Sequence, residues 1–133
     1  MILVDSSVWI DFFRGVRHAP CDALADCLGN ASVQVGMADL VLFEVMRGFR
    51  EGPLMRRAQS LMTQLPQVEI GGESNVLRAA AHYRRLRQQG RTVRSPIDVL
   101  LASFCMTHGH VLLHRDADFE VLKTLGDLKT RIQ

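Results

Sequence analysis

Apolar residues in this chain fall into two patterns: short uninterrupted runs, and longer stretches where they recur every three or four positions. The first suits strands buried on both faces, the second helices with one buried face. Met1 to Val4 is a short run that stops at Asp5-Ser6-Ser7, after which Val8, Trp9, Phe12 and Phe13 repeat with helical period. A strand followed by a helix puts Asp5 at their junction. A second helix is predicted over Ala19 to Leu28, stopping near Gly29-Asn30, and the alternation in Ser32-Val33-Gln34-Val35 predicts a short strand. Asp39 is placed to cap a third helix, in which Leu42, Val45, Met46 and Phe49 share one buried face, with Glu44 beside it and Gly48 one turn later.

Pro53 opens a further helix to about Gln64, Val68 to Ile70 predicts another strand, and Ser74 to Gln89 a helix stopped by Gly90. Ser95-Pro96-Ile97-Asp98 is a helix-start signal, since serine can cap, proline suits the first helical position and Asp98 can close a capping box. That helix is expected to run to about His108, with Gly109 as its stop. His110 to Leu113 is a run of strand length leading into Arg115-Asp116-Ala117-Asp118-Phe119, a cap and short helix, and Leu128 to Ile132 predicts an edge strand. Short strands alternating with helices imply a single domain over residues 1–133, a three-layer α/β/α sandwich with a mainly parallel sheet of about four to five strands. Ligands bind such sheets beyond the carboxyl ends of the strands, where Asp5 and Asp116 both fall.

Composition changes this picture in few places. No segment has the roughly 18 to 20 uninterrupted apolar residues of a membrane span, and no basic region precedes the apolar N-terminus, so a soluble cytoplasmic protein is expected. Cys21, Cys27 and Cys105 are odd in number and lack paired spacing, which argues against a disulfide framework or a zinc site. Net charge is +2, yet 14 of the 16 basic residues are arginine, and no acid lies between Glu73 and Asp98. That stretch carries Arg78, Arg84, Arg85, Arg87, Arg91 and Arg94, which reads equally as a solvated helix face or as a phosphate-binding surface.

The acids each have a structural reading. Asp5 and Asp116 can be N-caps, Asp98 a capping-box member, and Asp118 a favourable charge in a first turn. Glu44, in the middle of an apolar helix, has no cap to serve and needs a partner such as Arg47. Their conjunction points elsewhere, because two lie at strand ends and two on helices that a parallel topology can bring to the same edge. Such a cluster repels itself, and Mg²⁺ or Mn²⁺, which prefer oxygen ligands, offset the repulsion and can activate a water beside a phosphate.

The segments Val4-Asp5-Ser6-Ser7-Val8-Trp9-Ile10-Asp11, Glu44-Val45-Met46-Arg47-Gly48, Asp98-Val99-Leu100-Leu101-Ala102 and Leu113-His114-Arg115-Asp116-Ala117-Asp118-Phe119 together resemble the PIN-domain ribonucleases, most of all their VapC-type toxin branch. The resemblance covers essentially the whole chain. It implies RNA cleavage with Mg²⁺ or Mn²⁺ held at Asp5, Glu44, Asp98 and Asp116, with Ser7 as a hydroxyl neighbour and Asp118 as a fifth acid, Asp116 and Asp118 sharing the claim on the last position. It also implies two partners, a cognate antitoxin and a second copy of the chain.

On this reading Asp5, Asp98 and Asp116 hold one ion, a second sharing Glu44, and a water activated by metal attacks phosphorus in line, with Glu44 or Asp116 helping to orient or deprotonate it. Arg84, Arg87, Arg91, Arg94 and Arg115 are the RNA-binding candidates. The helices around Leu40 to Phe49 and Leu54 to Leu65 are apolar enough to offer grooves to a partner's helix, or are simply core. Ser7 has no accompanying histidine in a nucleophile motif, and His82, His108 and His110 lack metal-ligand spacing. His114 reads as packing or site lining. Two other functions fit some of the pattern. A phosphatase or phosphotransferase of another α/β fold would need a lysine partner, and only Lys123 and Lys129 exist; a non-catalytic RNA-binding module would use the acids as caps.

Overall fold

The computed structural model describes residues 1–131. In chain order the elements are β1 (Ile2–Val4), α1 (Ser6–Phe13), α2 (Ala19–Leu28), β2 (Val35–Ala38), α3 (Asp39–Met46), α4 (Pro53–Gln64), β3 (Gln67–Val68), α5 (Glu73–Gln88), α6 (Pro96–His108), β4 (Val111–Leu113), α7 (Asp118–Leu122) and β5 (Lys129–Arg131). The strands form one five-stranded sheet in the order β3-β2-β1-β4-β5, and every pairing is parallel. A parallel sheet built from right-handed crossovers places α1 to α4 on one face and α5 to α7 on the other, because the chain steps outward from β1 in one direction and then returns to β4 on its other side. The expected three-layer α/β/α architecture is therefore present, and it changes winding direction between β1 and β4.

The inner strands β1, β2 and β4 read as apolar runs because both faces are covered, whereas the edge strands β3 and β5 carry polar residues and are partly exposed. This explains where the sequence expectation slipped. Of the alternating stretch Ser32 to Val35 only Val35 is in a strand: Ser32 to Gln34 belong to the loop before β2, and the strand is Val35–Ala38, buried at all four positions. A Cβ at Gly36 would lie 2.8 Å from the Met1 sulfur and 2.9 Å from a Leu3 methyl, so glycine lets β1 side chains cross the neighbouring strand. β3 is Gln67–Val68 rather than 68–70, since the Ile70 amide turns away to donate to the Asp39 carboxylate at 2.8 Å. Asp39 accordingly does not cap α3; Ala38 is the N-cap and Asp39 is the first helical residue. Phe49 lies beyond the end of α3, whose buried positions are Val41 and Val45. The final strand was expected over 128–132; β5 occupies Lys129–Arg131, and Ile132 lies outside the described residues.

Trp9, Leu3, Leu24, Met37, Met62, Leu101, Leu112 and Phe119 are fully buried. Leu112 is central in β4 and pairs with Leu3 of β1 and Thr130 of β5. Truncating it opens a cavity between two helical layers, so Leu112→Ala is expected to cost about 3 kcal/mol in urea unfolding. Gly109 ends α6 in the left-handed region at φ 71°, the position its placement in the sequence predicts. Among the described residues no helix is long and apolar enough to cross a membrane.

Candidate active site

Asp5 follows directly on β1, and its amide donates to the Leu113 carbonyl of β4 at 3.0 Å, which fixes it at the change of winding direction. Its side chain caps α1 by accepting from the Ser7 amide at 3.3 Å, and the Ser7 hydroxyl donates to the same oxygen. The cap reading and the site reading of Asp5 are thus both satisfied, with Ser7 holding the carboxylate in place. The residue is only 4 % exposed.

Asp98 behaves differently from the capping-box expectation. Ser95 is the N-cap of α6 but makes no side-chain cap hydrogen bond, and its carbonyl instead accepts from the Asp98 amide at 3.1 Å. The Asp98 side chain, 7 % exposed, points into the acid cluster. The Asp116 cap is displaced in a similar way: α7 begins at Asp118 with Ala117 as N-cap, and Asp116 Oδ1 accepts from the Asp118 amide at 2.9 Å. That turn brings both acids of the motif to the same side. One carboxylate oxygen from each of Asp98, Asp116 and Asp118 lies within 4.8 Å of the others. This trio contains Asp118 beside Asp98 and Asp116, while the Asp5 carboxylate is held by the amide and hydroxyl of Ser7.

Asp5 and Glu44 stand next to this trio. The Asp98 carboxyl is pushed up to about 8, first by burial and then by repulsion from Asp5, Glu44, Asp116 and Asp118. Burial also raises Asp5, with Glu44 adding to the rise and hydrogen bonds from Ser7 and Ser6 opposing it. All five acids thus share one field. Glu44 keeps a distant contact to Arg47 at 4.0 Å, yet its Oε1 is buried with no hydrogen-bond partner. A buried carboxylate oxygen without a partner, beside three convergent carboxylates, fits an all-oxygen site for a hard divalent cation.

The arginines divide. Arg94 reaches the cluster, with Nη2 3.9 Å from Asp116 and Nε 3.6 Å from Asp118. Arg84, Arg87 and Arg91 are exposed on the end of α5 and the loop after it, and they form no ion pair among the described residues. Arg115 turns to the other side and pairs with Asp11, which also accepts from His18 Nε2 at 2.9 Å. Burial opposes ionisation of Asp11, but the hydrogen bond from His18 and the Arg115 guanidinium outweigh it and hold the carboxyl below its usual range. This Asp11-His18-Arg115 clip, which ties α1 to the loop carrying Asp116, was missed from sequence, because residues 104 positions apart give no local spacing signal. His114 is 1 % exposed and packs tilted against Phe119, with neither ring nitrogen bonded. It is a packing residue behind the motif.

The pattern of the PIN domain matches residues 2–125. VapC ribonuclease Mb1587 of Mycobacterium bovis and ribonuclease VapC11 of Mycobacterium tuberculosis are each 30% identical over 129 residues, spanning 97% of this chain and 96% of theirs. Among solved structures, VapBC2 from Rickettsia felis, bound to a DNA fragment from its promoter, superposes with a TM-score of 0.73 at 16% identity over 98% of each chain. VapC20 of Mycobacterium tuberculosis, a sarcin-ricin loop cleaving toxin, gives 0.68 at 18% identity over 92% of this chain and 95% of its own. A parallel sheet of this order, acids gathered where its winding reverses, and a domain match over nearly the whole length agree: the chain belongs to the PIN domain family and is a relative of the VapC ribonucleases.

Proposed function

We propose that this protein is a divalent-metal-dependent endoribonuclease, the toxin of a toxin–antitoxin pair, acting in the cytoplasm as a single domain over residues 1–133. The observation that carries the reading is the convergence of Asp98, Asp116 and Asp118 within reach of one cation, with Asp5 and Glu44 beside them. Asp98, Asp116 and Asp118 would hold Mg²⁺ or Mn²⁺, with Asp5 close enough to share it. Such an ion supplies charge neutralisation at a phosphate and an acidified water. Around it, the Ser7 hydroxyl fixes the Asp5 carboxylate, and the unpaired Glu44 Oε1 is an acceptor for a water proton. The Asp11-Arg115 pair holds the loop that presents Asp116 and Asp118. The exposed Arg84, Arg87 and Arg91 line an approach for a polyanion.

An antitoxin partner and self-association are supported by exposed apolar surface on both helical layers. Phe43 is exposed on α3, Leu54 of α4 lines a groove of about 470 Å³ together with Ile10, Phe13 and Phe49, and Leu77 and Tyr83 are exposed on α5. Purified protein is expected to cleave RNA in Mg²⁺ or Mn²⁺, to stop on addition of EDTA, and to leave a small phosphomonoester intact. Release of phosphate from the monoester with RNA uncut would instead favour a phosphatase.

A further inference from the structure

Arg94 occupies an unusual place for a surface arginine. Its side chain is 83% exposed, yet its guanidinium lies within 3.9 Å of both acids at the end of the last motif, and its amide donates to the same Asp118 oxygen at 3.4 Å. Both acids belong to the trio that suits a cation. A guanidinium and a divalent cation compete for the same carboxylate lone pairs, and an ion pair this exposed is weak enough to be displaced. The tether limits where the displaced group can go. Ser95 is the N-cap of α6 and Asp98 stands in its first turn, so the Arg94 backbone is fixed next to the cluster. A planar fork released there remains within reach of a phosphate held at the same acids, and guanidinium matches two phosphate oxygens at once. None of the other four candidate arginines touches these acids: Arg115 is engaged with Asp11, and Arg84, Arg87 and Arg91 have no ion pair among the described residues.

Resting on the nuclease reading, we propose that Arg94 is both a competitor for the cation site and the phosphate-binding residue of the reaction, exchanging Asp116 and Asp118 for the RNA backbone. The group that opposes metal loading then becomes the one that grips the substrate.

The test uses the full-length protein and two binding measurements without turnover: calorimetric titration with Mn²⁺ alone, and anisotropy of a labelled RNA oligonucleotide in Ca²⁺ at several salt concentrations. Arg94→Gln should bind Mn²⁺ about threefold to fivefold more tightly than wild type. It should bind RNA about tenfold more weakly, with the salt dependence reduced by about one phosphate contact. Arg91→Gln, which removes a nearby charge that touches no acid, should leave Mn²⁺ affinity unchanged. Unchanged or weaker Mn²⁺ binding by Arg94→Gln, an equal gain in Arg91→Gln, or unaltered RNA affinity would each overturn the proposal. Wild-type protein that takes up no Mn²⁺ would sink the nuclease reading with it, whereas normal uptake with no Arg94 effect sinks this inference alone.

Discussion

Asp98→Asn is expected to abolish metal-dependent RNA cleavage while leaving the protein at least as stable as wild type when the cation is chelated. The substitution keeps size and shape but removes a carboxyl that is 7% exposed and faces four other acids, so that without a cation folding must either bury its charge or protonate it. A buried charge without a compensating partner opposes folding, so its loss relieves strain in the fold. The same carboxylate is central to the trio with Asp116 and Asp118, and altering groups one shell further from a metal already costs about 10- to 100-fold. Cleavage should therefore fall by more than about 100-fold, and the thermal stabilisation given by added Mn²⁺ should vanish with it. The comparison is of melting temperature in EDTA, melting temperature in Mn²⁺, and rate on one RNA. Full activity of the variant would exclude Asp98 from the chemistry; a large drop in its melting temperature in EDTA would mark the residue as structural support instead.

Opposite effects on stability and activity separate an acid that only caps a helix from one that serves the site. A cap stabilises its helix, so a capping acid and its helix agree. Asp5 does satisfy that test, because it accepts from the Ser7 amide as well as facing the cluster. Asp98 fails it: the backbone carbonyl of Ser95 takes the bond that the box would have used, and the carboxylate is left in a field that pushes its proton affinity up. The periods of the helices, the stops at Gly29 and Gly109, and the layered order of the fold are local consequences of spacing and were legible in the sequence. The bounds of β2 are not, because a strand buried at all four positions has no alternation to read, and those of β3 depend on the long-range bond from the Ile70 amide to Asp39. Nor is the convergence of Asp118 with Asp98 and Asp116, which depends on how the turn at Asp116 folds. The pairing of Arg115 with Asp11 and of Arg94 with Asp118 joins segments that only the sheet brings together.

Without divalent cation, stability is expected to fall as pH rises through the neutral range, the reverse of the behaviour of a carboxylate held by cationic partners. In the folded chain Asp98 retains its proton to about pH 8, whereas an unconstrained aspartate has an ordinary value of 3.8; Asp5 is raised in the same direction. Between those limits the folded state binds more protons than the unfolded state, so the pH derivative of unfolding free energy is negative. Each unit of pH then removes up to about 1.4 kcal/mol for every proton fully taken up on folding. The loss starts just above the ordinary carboxyl range and levels off above the raised value. Asp11 acts in the other sense, since its depressed carboxyl contributes stability that disappears only in acid, so the optimum should lie on the mildly acidic side. Divalent cation reverses the neutral-range slope, because binding to ionised Asp98 no longer competes with a proton once the pH is high. Urea unfolding from about pH 5 to about pH 8, in EDTA and in Mn²⁺, checks this directly: the two curves should diverge with rising pH, and Asp98→Asn should flatten much of the EDTA curve. A wild-type EDTA curve that rises across this range would mean that the acids are ionised and paired in the folded chain, and the shared field proposed for the cluster would be wrong.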